Sequence, residues 1–381
     1  MGVSGNEAAI NIRKNDIAGE ITIFGEDEYP FYYRPKLVEL IDMDLGISNF
    51  TINKIEFYEK NRINLKLNTK IVKIEPGEKY ILSAGGEKFF YDRLLIATGA
   101  EPLVPELSGN ELKGFFALRN FQDFEKVKLY SKNCNNVAVI GGGLLGLEIA
   151  SRFINAGKNV TVIEKFETLM PRQLDASAGK ILQNILEKNG IHFFMGTGVK
   201  KLIGNGAVEK IDLDSNVQIN AELVICSAGI KSKKEIASEA GINCDRGIIT
   251  NNFLETSIKD IYAAGDAVSL NGVLYGIWPL AKQQGLVAGQ NMSGKSMEYK
   301  KAIFTSMLKI KDINLYIAGE LSYENAEVYK KEEGNAFYKI CAKNGVALGA
   351  VIMGDPEAIK IAAKVFSGNL PLEELKKYCN F

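Results

Sequence analysis

Three glycines, Gly141, Gly143 and Gly146, are spaced G-x-G-x-x-G, and a carboxylate, Glu164, follows about twenty residues later. In that spacing the first glycine permits a tight turn and the second lets a pyrophosphate approach the backbone. The third lets a helix sit close to its strand. The phosphates then meet the free N–H groups and positive end of that helix, while Glu164 accepts hydrogen bonds from both hydroxyls of a ribose. The chemistry is dinucleotide binding. A carboxylate at this point repels a 2′-phosphate and so favours NADH over NADPH, although the neighbouring Lys165 weakens the discrimination. The bland alternative is a glycine-rich turn without a ligand.

The elements around the motif suit it. Residues 136–164 open with an apolar β-rich run, turn through glycines, continue with helical periodicity and return to a second β-rich run. The first segment of the chain looks like a second copy with its beginning missing. GNEAAINIRKND reads as a helix and GEITIFGEDE as a strand ending in acids, so Gly2 and Gly5 match the second and third glycines and Glu26 or Asp27 the ribose acid. The first glycine and the strand before it have no residues in this sequence. Such a central strand buries about five apolar side chains at roughly 1.5–3 kcal/mol each, comparable with the roughly 5–15 kcal/mol net stability of a whole domain. Either the sequence is N-terminally short of the working protein or this second site is compromised. An apolar run ending in glycine is expected upstream of Met1.

Composition bounds the partners. With 381 residues the chain has room for two or three domains. Lys plus Arg and Asp plus Glu are each 46, so no global field holds nucleic acid or an anionic membrane. No run approaches about 18 uncharged apolar residues, which predicts no membrane span, and the N-terminus has no apolar export core. The five cysteines, Cys134, Cys226, Cys244, Cys341 and Cys379, are scattered. They suit free thiols in a reducing cytoplasm and argue against a disulfide scaffold or a thiolate metal site.

Four further stretches, FYYRPKL (31–37), YDRLLIATGAEP (91–102), ICSAGI (225–230) and TSIKDIYAAGDAV (256–268), followed by GIWPLAKQQGLVAGQNMSG (276–294), complete an ordered set. Together with the two nucleotide units, the chain resembles the FAD-dependent pyridine nucleotide-disulfide oxidoreductases of the glutathione-reductase-like fold. Within them it is most similar to NADH:rubredoxin oxidoreductases and the flavin module of NAD(P)H nitrite reductases. The resemblance covers roughly residues 1–300. It implies an α/β protein with two Rossmann-like domains, a discontinuous FAD domain (1–105 and 236–301) and an NAD(H) domain (106–235). A small α+β C-terminal domain (302–381) follows.

It also implies roles. Gly2, Gly5 and Glu26 or Asp27 match positions that hold the FAD pyrophosphate and adenosine ribose, and Arg34 looks like the arginine along the flavin phosphates. Ala97, Thr98 and Gly99 match a small-residue turn beside the cofactor, Asp266 the acid on the ribityl chain, and Trp278 and Gln284 a helix start near the flavin ring. On the NADH side Glu148 occupies the position between nicotinamide and flavin, and Ala228 with Gly229 match a second small-residue turn. Each has a structural reading too: the turns can merely end strands, Asp266 can cap a helix, Trp278 can belong to the core, Arg34 can be a solvated surface residue, and Glu148 suits the dipole of its helix.

The disulfide reductases of this superfamily need a redox-active cysteine pair near the flavin and usually a histidine base. No cysteine precedes Cys134, and the single histidine, His192, alternates with apolar residues at the start of an expected strand and reads as structural. Electrons are therefore expected to leave for a small electron-transfer protein such as rubredoxin, met by a local Lys/Arg patch on the C-terminal domain. Electron delivery to a nitrite- or nitric-oxide-reducing system is the alternative, and a nucleotide-binding protein without turnover a third. No metal site is expected.

Overall fold

β-Branched apolar runs become strands, and the segments after each glycine turn become helices, as their periodicities require. The computed structural model describes residues 1–270, 272–300, 303–310 and 313–381. The expected boundary at residues 301 and 302 lies outside the described residues.

Numbered along the chain, the elements that matter begin with α1 (Val3–Asn15), β1 (Ile21–Phe24), β2 (Ile63–Lys66) and β3 (Leu94–Ile96). There follow β4 (Phe115–Ala117), α2 (Phe121–Ser131), β5 (Asn136–Ile140), α3 (Leu144–Asn155) and β6 (Asn159–Ile163). Next come α4 (Ala176–Lys188), β7 (Ile191–Phe194), β8 (Leu223–Cys226), β9 (Ile261–Ala263) and α5 (Trp278–Met292). The last are β10 (Thr305–Ile310), β11 (Ile313–Gly319), β12 (Glu327–Glu333), β13 (Ala336–Lys343), β14 (Val346–Met353), α6 (Pro356–Phe366) and α7 (Leu372–Cys379).

The chain divides into two units. The first comprises Met1–Leu37, Leu45–Pro102 and Ile230–Ala302, the second Val38–Asp44, Leu103–Gly229 and Ile303–Phe381. In the second, five parallel strands lie in the order β7-β6-β5-β8-β4. The central strands are buried on both faces: Val137, Ala138 and Val139 of β5 and the whole of β8 are almost inaccessible. That is why they read as continuous apolar runs rather than alternating ones. The short excursion Val38–Asp44 is bound into this unit through Asp42, which takes Arg152 at 3.2 Å and Asn155 at 3.1 Å, both on α3. The C-terminal part is an antiparallel sheet, β10-β11-β14-β13-β12, covered by α6 and α7. Asp175 at the N-cap of α4 receives Lys339 at 3.3 Å and Lys330 at 3.4 Å from that sheet.

In the first unit β1 pairs in parallel with β2, and β3 separately with β9. Its helices α1 and α5 approach very closely. A Cβ on Gly285 would lie 2.8 Å from Ser4 Cα, and one on Gly289 would lie 2.8 Å from Ala8 Cα, so glycine at both positions lets the helix backbones touch. Each unit also carries a three-stranded antiparallel meander, residues 71–90 and 199–220 respectively. The duplication anticipated from the two glycine units thus extends to the elements around them.

Candidate functional site: two glycine turns and their acids

In the second unit β5 runs into Gly141, whose φ of +111° lies where a side chain is strained and whose Cβ would overlap the Ser227 carbonyl oxygen. Gly143 then caps α3 with no side-chain hydrogen bond, and a Cβ placed on it meets nothing within 4 Å. The first N–H groups of α3 are therefore left for an outside acceptor, the physical requirement of an anion site. Gly146 is forced by packing, because its Cβ would overlap the Gly141 carbonyl oxygen.

Glu164 follows β6 and is 7% exposed. Its Oε2 accepts the Gly142 N–H at 2.6 Å and its Oε1 accepts the Phe166 N–H at 2.9 Å. The carboxylate is thus fixed at the edge of the glycine turn by charge-assisted bonds before any ligand arrives. Phe166, largely exposed, stands beside it. At the end of β8, Ser227 donates its N–H to the Ile140 carbonyl at 2.8 Å, which sets the Ala228–Gly229 turn next to the glycine turn. Gly229 has φ +122°. Glu148 is buried on α3.

The first unit assembles its candidates in three groups. Gly2 caps α1 without a side-chain bond and, like Gly143, faces open space; Gly5 places its missing Cβ 3.7 Å from the Ala97 Cβ. That brings the turn Ala97–Thr98–Gly99 to the helix start, with Gly99 at φ +74°. Thr98 Oγ1 donates to the Lys233 carbonyl at 2.7 Å, and the Lys233 N–H donates to the Gly99 carbonyl at 3.0 Å.

The second group is the acids after β1. Glu26 takes Lys233 at 2.9 Å and Lys70 at 3.2 Å. Burial pushes its carboxyl upward, but the two lysines outweigh it and hold it below the ordinary range. Asp27 pairs with Arg34 at 2.7 Å. The residues expected to bind ribose and phosphate are therefore partners of each other.

The third group lies at the start of α5. Asp266 sits in the short turn Gly265–Ala267 after β9. The Gly265 N–H donates to Gln284 Oε1 at 2.7 Å in the interior, and Ser4 Oγ donates to the Ala281 carbonyl at 2.8 Å. Gln284 therefore has a definite structural task. Trp278 stands edge-on to Tyr33, ring centroids 5.1 Å apart, and packs against the core around Ile21 and Ile63.

Sequence reasoning missed the Gly285/Gly289 contact, for which the G-x-x-x-G spacing in QQGLVAGQ was the available signal. It also missed the backbone bonds of Glu164, for which there was none. His192 lies on β7 and is exposed. The five thiols are free and dispersed, and burial raises all of them, Cys379 to about 11. None is poised as a thiolate. The lysines of the C-terminal sheet are matched by acids: Lys330 by Asp175 and Glu332, Lys331 by Glu333 and Lys339 by Asp175. Among the described residues no helix is long and apolar enough to cross a membrane.

A family model described as "Pyridine nucleotide-disulphide oxidoreductase" matches residues 1–285. The chain belongs to that family. As a member it is an oxidoreductase of the flavin and pyridine-nucleotide type, and its two capless glycine helix starts, each with acids at the following strand end, fit two dinucleotides. The chain is 34% identical over 358 residues to a nitrite reductase [NAD(P)H] of Bacillus subtilis, covering 93% of this chain and 44% of the relative. It thus spans less than half of that protein. It is 30% identical over 337 residues to the NADH-rubredoxin oxidoreductase of Clostridium acetobutylicum, covering 88% of this chain and 85% of the relative. The crystal structure of NADH:rubredoxin oxidoreductase from Clostridium acetobutylicum superposes with a TM-score of 0.80 at 28% identity, covering 97% and 94% of the two chains.

Proposed function

We propose that this protein takes hydride from NADH onto FAD and passes single electrons to a small redox protein of the rubredoxin kind. FAD, when bound, supplies the change from two-electron to one-electron chemistry, and the protein contributes binding, orientation and electrostatics. In this reading residues 1–105 and 236–301 form the FAD domain, 106–235 the NADH domain and 302–381 a small additional domain. The α3 N-terminus at Gly141, Gly143 and Gly146 receives the NADH pyrophosphate, and Glu164 receives the adenosine ribose. Ala228 and Gly229 admit the nicotinamide half, with Glu148 helping to position it. Gly2, Gly5, Arg34 and the turn Ala97–Gly99 hold the flavin phosphates. Glu26 or Asp27 holds its ribose, and Asp266, Trp278 and Gln284 order the segment near the ring.

The observation that carries the reading is the Glu164 carboxylate, fixed by two backbone N–H groups at the rim of an uncapped helix start. Its negative charge selects NADH over NADPH. The dispersed, protonated thiols leave no internal disulfide to receive the electrons, so an external acceptor is required. Free thiols of this kind suit a reducing cytoplasm.

The 34% identity to a nitrite reductase supports a second reading, electron delivery to a nitrite-reducing centre. Stopped-flow mixing of NADH-reduced protein with purified rubredoxin separates the two. Rapid loss of the rubredoxin absorbance is expected; a reduced flavin that leaves rubredoxin untouched overturns the acceptor and favours the second reading. Binding of NADH without any flavin reduction would make it a nucleotide-binding protein without turnover.

A further inference from the structure

The two oxygens of Glu164 are bound to different parts of the second unit. Oε2 takes the Gly142 N–H in the glycine turn, and Oε1 takes the N–H of Phe166, further along the chain that leaves β6. The carboxylate therefore stands between the turn that starts α3 and the root of the Phe166 side chain. A ribose held on such a carboxylate carries its phosphate on the 5′ carbon and its base on the 1′ carbon, at opposite ends of the sugar. With the phosphates at the α3 start, the base falls on the Phe166 side.

Phe166 is 58% exposed, yet its backbone is held firmly. Its N–H is bound by Glu164, and its carbonyl accepts the Gly196 N–H at 3.1 Å. The Glu164 carbonyl accepts the next N–H of the same turn, from Thr197, at 3.2 Å. Gly196 has φ +66°, and a Cβ on it would overlap the Glu167 carboxylate, so the clamp is built on a glycine. Exposure by itself carries no function, since Phe90 of the first unit is 74% exposed. Phe166 differs in having its backbone tied on both sides next to the candidate ribose acid. A ring rooted in this way is presented to a ligand at a smaller cost in ordering.

Resting on the reading of the second unit as an NADH fold, we propose that Phe166 is the platform on which the adenine ring of the dinucleotide stacks. A flat aromatic face suits a base, and stacking needs no polar partner on the base edge. The adenosine is then recognised in two parts, its hydroxyls by Glu164 and its base by Phe166. The nicotinamide half makes no use of this residue.

The test is calorimetric titration of the full chain with ADP-ribose, with NADH and with reduced nicotinamide mononucleotide, which lacks the adenosine. Phe166→Ala is expected to weaken ADP-ribose and NADH by about tenfold, and Phe166→Tyr to keep the parent affinity. Both variants are expected to leave the mononucleotide affinity and the melting temperature unchanged. Phe90→Ala, which removes an exposed ring elsewhere, is expected to alter none of the three titrations. Equal affinity of parent and Phe166→Ala for ADP-ribose overturns the platform while the NADH site stands. An equal loss for the mononucleotide makes Phe166 a structural residue and overturns it too. A parent chain that binds no ADP-ribose overturns the NADH reading itself, and the platform with it.

Discussion

The two nucleotide units share a glycine spacing, yet the second ladders five parallel strands into one sheet whereas the first pairs β1 with β2 and β3 with β9 separately. In the second unit Gly141, Gly143 and Gly146 each answer to something visible: a positive φ, an uncapped helix start, a carbonyl with no room to spare. In the first, Gly2 likewise starts a helix in open space, whereas a Cβ on Gly5 would make only an ordinary 3.7 Å contact with the Ala97 Cβ. A glycine fingerprint therefore records two separate demands, one from the ligand and one from the central strand.

That contrast can be broken most forcefully at Gly146. Alanine there would overlap the Gly141 carbonyl, so Gly146→Ala is expected to destabilise the second unit by about 3 kcal/mol or more, measured by denaturant unfolding; Gly5→Ala in the same chain should stay within about 1 kcal/mol. A similar loss at both positions would show that the units are more alike than their sheets suggest. Next in size, Glu164→Ala leaves the buried Gly142 N–H and the partly buried Phe166 N–H without their acceptor and removes the charge that repels a 2′-phosphate. A loss of roughly 1–3 kcal/mol is expected, together with a narrowed preference for NADH in titrations of both nucleotides. Unchanged discrimination would remove Glu164 from the specificity argument.

These residues also show what was legible in sequence. The glycine turn, its acid and the strand-turn-helix rhythm could be read because each is written within about thirty residues. The alternating pieces of the C-terminal part emerged as β13, β14, α6 and α7 for the same reason. Long-range partners carried no such mark. The G-x-x-x-G spacing of Gly285 and Gly289 marks a close approach without saying that Ser4 and Ala8 make it, and nothing local announces that Val38–Asp44 binds α3 through Asp42. In the C-terminal sheet, too, Lys330 and Lys339 meet Asp175, an acid more than 150 residues away that no local pattern marks.

Smaller effects sharpen the comparison. Gln284→Ala removes the acceptor of the buried Gly265 N–H in the first unit, and a destabilisation of about 1–3 kcal/mol is expected in chemical unfolding. If α5 holds its place through the glycine contacts alone, the loss will be near zero. Smallest is the response to acid of the second unit's Asp175. Burial pushes its carboxyl up, but the Ala178 N–H and Lys339 outweigh that and hold it below the ordinary 3.8. A carboxyl depressed on folding contributes stability that is complete above the unfolded value and is lost as pH falls through the folded one. The Asp175→Asn variant should therefore show a shallower loss of melting temperature below about pH 4 than the parent. Parallel curves for both would show that the carboxylate is not engaged.

The most direct measurement is an anaerobic titration of the FAD-supplemented protein with NADH. A tightly retained yellow chromophore that bleaches stoichiometrically with NADH, and less readily with NADPH, is the expected result. A colourless preparation that retains no FAD after gel filtration would contradict the assignment of the first unit as a flavin fold.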